Sequence, residues 1–110
     1  MIHTTIIRTE AGRVRSFSLS GHALFANQGK DIVCAGVSAV SIGAINSIMA
    51  LTGVEPDIEQ GDSGFLRCDI PQDLPEETQE KVQLLLEGMI VSLETIEREY
   101  GKHIKITFKK

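Results

Sequence analysis

The sequence predicts an α+β fold, a single two-layer domain over residues 1–110 with a mainly antiparallel sheet and two long helices, in the order ββαββαβ. Three observations predict it. Residues 14–20, 64–70 and 104–109 alternate apolar and polar side chains with the period of a strand. Residues 32–52, and the stretch from Pro75 to Gly101, are long enough and apolar enough on one side to be helices. The 110 residues are 42% hydrophobic and 24% charged, which suits one globular domain rather than a disordered chain.

Residues 2–9 (IHTTIIRT) are rich in Ile and Thr, whose branched β-carbons favour a strand. Glu10 to Arg13 is a turn. In 14–20 (VRSFSLS), Phe17 and Leu19 share one face and Ser16, Ser18 and Ser20 the other, so the two strands form a hairpin. Gly21 to Lys30 is a loop bounded by glycines, carrying Leu24 and Phe25. Asp31 opens a helix from Ile32 to Thr52, and Gly53 stops it. That helix is rich in small residues, Gly36 and Gly43 among them. An interior glycine costs about 1 kcal/mol relative to alanine, so close approach of a sheet or helix is expected to offset the two. Val54 to Glu59 and Gly64 to Ile70 read as strands around Gln60-Gly61-Asp62-Ser63. Pro75 sits at the first turn of the second helix, with Glu76, Glu77 and Glu80 near its positive end. Val82, Leu85, Leu86, Met89, Leu93 and Ile96 form its core stripe. Ile104, Ile106 and Phe108 alternate with Lys105, Thr107 and Lys109 in a last strand.

Lys and Arg number 11 and Asp and Glu 15, a net charge of −4, which argues against a dedicated nucleic-acid binder. The charge is uneven, with the second half of the chain acidic, a field that would attract a basic partner. Cys34 and Cys68 are too few for a disulfide framework and form no C-x-x-C, so free thiols in the cytoplasm are expected. The histidines are scattered, phosphate- and dinucleotide-binding glycine motifs do not occur, and no metal or cofactor is expected. Ile32 to Val54 is uncharged, but polar residues and glycines interrupt it, and it reads as a buried soluble helix with no membrane association.

One constellation carries chemistry. Cys34 lies in the first turn of the first helix, where free backbone N–H groups and the dipole favour negative charge on a thiol. With Asp31 as N-cap, Cys34 is the residue whose N–H such a cap accepts. His22 begins the loop that returns to this helix, so its imidazole can reach the thiol as a base. The helix-start N–H groups are natural donors for an oxyanion. Other readings stand beside these. A lone cysteine in an apolar helix is also what a packed core residue looks like. Asp31 reads as a cap before an orienter of His22, and as an anion it opposes a thiolate. Ser38 is expected to bond back to the helix, Cys68 to be core, and His3 and His103 to be structural. Leu24 and Phe25 either form a lid that meets substrate or fold onto the core.

The G-H-A of residues 21–23, followed by D-I-V-C-A-G-V-S at 31–38, resembles the ribosomal-processing cysteine protease (Prp) family of Firmicutes and related bacteria, and the resemblance extends over all 110 residues. It implies a cytoplasmic, homodimeric cysteine endopeptidase. Such an enzyme removes a short N-terminal extension from a large-subunit ribosomal protein, cleaving after an aromatic pair. Carried over, the nucleophile falls on Cys34 and the general base on His22. Gly21 and the loop through Lys30 match a segment that moves for substrate, and Asp31 matches a motif acid. Two other classes remain open: a non-catalytic ribosome-assembly module with Cys34 buried, and a thiol redox protein using Cys34 and Cys68, which the lack of C-x-x-C disfavours.

Overall fold

The computed structural model describes residues 1–27, 31–62 and 64–110. Its elements run β1 (Ile2–Arg8), β2 (Val14–Ser20), α1 (Ile32–Thr52), β3 (Asp57–Gly61), β4 (Phe65–Asp69), α2 (Glu76–Tyr100) and β5 (Ile104–Lys109), the α+β order the periodicities predict. One five-stranded sheet has the order β3-β4-β2-β1-β5. Three of its ladders are antiparallel, and β5 joins β1 in parallel.

The register puts Ile2, Thr4 and Ile6 of β1, Phe17 and Leu19 of β2, Leu66 and Cys68 of β4, and Ile104 and Ile106 of β5 on one face. All of these are buried, and both helices cover that face. The centre of the core is Phe17, Ile6, Ile48, Leu86, Leu93 and Ile104. The opposite face, with His3, Ser20 and Lys105, is turned to solvent. Polar clasps fix α2 to the sheet. The Arg8 guanidinium grips both carboxylate oxygens of Glu87 at 2.5 and 2.9 Å. The Gln83 amide pairs with the N–H and C=O of Val14 at 2.7 and 2.9 Å.

Helix α1 has the predicted bounds. Asp31 caps its start, and Gly53 ends it at φ +75 with its N–H on the Met49 carbonyl, 3.0 Å away. The helix is long and apolar enough to cross a membrane, but here Val33, Val37, Ser41, Ile45 and Ile48 are buried inside the fold. The expected offset for its glycines is met only in part. A Cβ on Gly36 would lie 3.7 Å from Ile96 of α2, an ordinary contact, and a Cβ on Gly43 would meet nothing within 4 Å. Gly43 faces a shallow groove between the helices, lined by Ala39, Ser47, Gly88 and Ser92. Strand β3 also departs from expectation: it begins at Asp57 rather than Val54 and runs through Gly61. Val54 and Pro56 are buried, and proline has no N–H for a ladder, so pairing starts after it.

Candidate active site

One end of the molecule gathers the end of β2, the starts of α1, β1 and β5, the end of α2 and the β3–β4 turn. Gly21 makes this possible. It has φ +90, and a Cβ there would lie 2.4 Å from the Met1 carbonyl oxygen. Only glycine combines that conformation with that approach. Gly64 backs onto the same spot from the β3–β4 turn. Its φ is +74, and a Cβ would lie 2.5 Å from the Gly21 oxygen and 3.1 Å from Cε1 of His22. The two glycines thus stack backbone on backbone and fix where His22 leaves the chain.

Asp31 is more than a helix cap. One carboxylate oxygen accepts the N–H groups of Val33 and Cys34, both at 3.0 Å. The other accepts those of Phe25 and Ala26 at 2.9 and 3.3 Å. Its own carbonyl accepts the Ala35 N–H at 3.0 Å. A single buried carboxylate therefore ties the preceding loop to the helix start. Desolvation pushes its pKa up, but the N–H donors of Cys34, Phe25 and Ala26, together with the Cys34 thiol, outweigh that and hold it below the ordinary carboxylate value. Among the described residues, no hydrogen bond joins it to His22.

This geometry has a testable pH consequence. Asparagine is as good an N-cap as aspartate. Asp31→Asn keeps an oxygen for Val33 and Cys34 and turns an NH₂ toward Phe25 and Ala26, so it opens the loop clasp alone. A lowered folded pKa means that ionised Asp31 stabilises the fold above its unfolded value. That contribution is lost as pH falls through the folded value. The parent is expected to lose Tm more steeply than Asp31→Asn on acidification below about pH 4. Thermal melts at stepped pH check this, and equal slopes would remove the carboxylate from the argument.

Cys34, half-buried, lies at the third position of α1. Its Sγ accepts the main-chain N–H of Ala23 at 3.3 Å. Cys34 lines two cavities. An inner one of about 270 Å³ lies between α1 and the sheet and is walled by Ile2, Leu19, Val37, Ile42, Phe65 and Leu66. An outer one of about 520 Å³ is walled by Leu24, Ala26, Asp31 and Ala35. His22, Cys34 and Ser38 border both. His22 is exposed on the border of the same cavities as Cys34, with no hydrogen bond to its sulfur among the described residues. Such contacts commonly tighten only when substrate binds. Ser38, expected to bond back to the helix, is exposed at the cavities, and the back-bond is made by Ser41 to the Val37 carbonyl, 2.7 Å. Cys68 is fully buried, and burial with Asp69 and Asp57 nearby pushes its thiol up to about 12, as befits an inert core residue.

Leu24 and Phe25 part company. Leu24, at φ 57 and 78% exposed, stands at the outer cavity. Phe25 is edge-on to His103 and Tyr100, with ring centres 5.2 and 5.5 Å away. The loop beyond it, Gln28 to Lys30, lies outside the described residues. His103, read from sequence as structural, holds this loop: its Nδ1 is 2.9 Å from the Ala23 carbonyl. A carbonyl only accepts, so Nδ1 carries the proton. The sequence places neither His103 nor Gly64 at the site, because each reaches it only through the packing of distant strands.

Known proteins resemble this chain over nearly its whole length. The family model for the cysteine protease Prp matches residues 1–105. The ribosomal processing cysteine protease Prp of Bacillus subtilis is 48% identical over 108 residues, 97% of this chain and 96% of that protein. The Prp of Staphylococcus aureus is 39% identical over 113 residues, covering 99% of this chain and 100% of that one. A crystal structure of the S. aureus protease with a covalently linked product peptide superposes with TM-score 0.89 at 39% identity, covering 99% of this chain and 100% of that one. Another, with a substrate peptide, gives 0.84 at 37% identity with the same coverage. A cysteine at a helix start between two cavities, in a chain matched over nearly its whole length, places this protein in the Prp family of ribosomal-processing cysteine proteases, and it is a cysteine peptidase.

Proposed function

We propose that Cys34 is the nucleophile and His22 the general base of a single protease domain over residues 1–110. The substrate is a large-subunit ribosomal protein, from which the enzyme removes an N-terminal extension after an aromatic pair. The carrying observation is that Cys34 and His22 line the same two cavities, with Cys34 in the first turn of α1. His22 takes the thiol proton and the sulfur attacks the scissile carbonyl. Protonated His22 then gives its proton to the leaving amine, and water hydrolyses the thioester. The apolar walls of the inner cavity suit an aromatic side chain of the pair, and Leu24 stands where it can touch the peptide in the outer one. The S. aureus relative with a covalently linked product peptide supports a covalent route. Incubation with the extended ribosomal protein, read by mass spectrometry of the new N-terminus, tests this. Cleavage after the aromatic pair is expected, and an intact extension would overturn the substrate assignment.

The enzyme acts, on this reading, as a soluble cytoplasmic homodimer. Support comes from the outer faces of the helices, where Leu84 and Val91 are 75% and 61% exposed beside the groove of small residues at Gly43. Within one chain a side chain at Gly43 is free of contacts. Gly43→Leu is therefore expected to leave the monomer folded and shift sedimentation toward the monomer. An unchanged dimer would place the interface elsewhere.

A further inference from the structure

We propose that the main-chain N–H of Ala23 is a catalytic group, the donor that holds the Cys34 sulfur before attack and receives the oxyanion after it. The proposal rests on the protease reading above and names a part that reading lacks. The sequence points to the helix start for the oxyanion donors, and in the structure three of those N–H groups already have acceptors. Val33 and Cys34 give their N–H groups to the Asp31 carboxylate, and Ala35 gives its own to the Asp31 carbonyl. The main-chain donor that does reach the sulfur is Ala23, at 3.3 Å.

This donor is held from several sides. Ala23 is 1% exposed, and its carbonyl is bound by Nδ1 of His103. The next amides along the loop, Phe25 and Ala26, are bound by Asp31. A backbone donor fixed in this way needs no reorganisation when charge develops, the condition under which such donors act most strongly. It also directly follows His22, so base and donor arrive on one short segment. On attack, a carbon–sulfur bond forms and the carbonyl π pair moves to oxygen. Sulfur and oxyanion are then substituents of one carbon, and an N–H aimed at the first is within reach of the second. When the carbonyl reforms, the carbon–nitrogen bond breaks and the amine leaves with the proton from His22.

Replacing the Ala23 amide by an ester tests this without changing a side chain. Residues 1–33, made as a synthetic thioester with lactate in place of Ala23, can be ligated to residues 34–110 at Cys34 itself. The comparison is the all-amide protein assembled the same way, assayed on a peptide spanning the cleavage site. The expected result is a fall in kcat on the order of 10²-fold or more with KM nearly unchanged. A kcat equal to that of the all-amide protein overturns the proposal and leaves the protease reading standing. An inactive all-amide protein overturns that reading and the proposal together. A second measurement needs no ester and no refolding. In protein labelled with ¹⁵N at alanine, valine and cysteine, a peptide aldehyde that adds to Cys34 is expected to shift the Ala23 amide proton strongly downfield. A shift confined to Val33 and Cys34 would return the oxyanion to the helix start and overturn the proposal.

Discussion

Cys34→Ser is expected to fold like the parent and to lose turnover by a factor on the order of 10⁴ to 10⁶. The fold is safe because Cys34 is only half-buried and its sulfur accepts the Ala23 N–H, a bond that a hydroxyl also accepts. The chemistry is not safe, because a serine hydroxyl is far less acidic than a thiol and needs a well-oriented base. Here Asp31 spends both carboxylate oxygens on four amides, and no hydrogen bond from a carboxylate to His22 is made among the described residues. His22→Ala should also fold, since the ring is exposed, and should lose about 10²- to 10⁴-fold. The measurements are kcat/KM and Tm for each variant. Substantial cleavage by Cys34→Ser would mean that the nucleophile is another group, and an active His22→Ala would mean that the thiol needs no base.

The parts of this site differ in how far the sequence exposes them. Asp31 and Cys34 stand three residues apart at the head of a long apolar run, so the cap and the placement of the thiol at the helix start are local facts, legible by spacing. The alternation of Phe17 with Leu19 and of Ile104 with Ile106 is legible for the same reason, and it gives the buried face of the sheet. The pairing of β5 with β1 in parallel is not local. It follows from α2 carrying the chain back across the sheet, and it is what brings His103 beside Ala23. The second pair of oxygen contacts on Asp31, toward Phe25 and Ala26, is hidden in the same way, since a capping residue and a loop clasp look identical in sequence. Val54 looks like a strand residue in the sequence, yet the missing N–H of Pro56 delays the pairing of β3 to Asp57.

Gly64 is the position where that hidden geometry should have its largest effect. Gly64→Ala is expected to lower kcat/KM by on the order of 10²-fold, the scale for a catalytic group displaced by about 1 Å. The added Cβ would lie 2.5 Å from the Gly21 oxygen and 3.1 Å from His22 Cε1, so the β3–β4 turn and the segment carrying His22 and Ala23 must move apart. Alanine at φ +74 also costs about 1–2 kcal/mol of stability, which by itself would not touch activity. Gly12 separates the two effects. It has φ +89 in the β1–β2 turn, far from the site, and a Cβ there meets nothing within 4 Å. Gly12→Ala should therefore lose a similar amount of stability and keep full kcat/KM. Chemical denaturation and steady-state kinetics on both variants give the comparison. Equal activity in the two would mean that the β3–β4 turn does not set the position of His22, and that the loop is held by Asp31 and His103 alone.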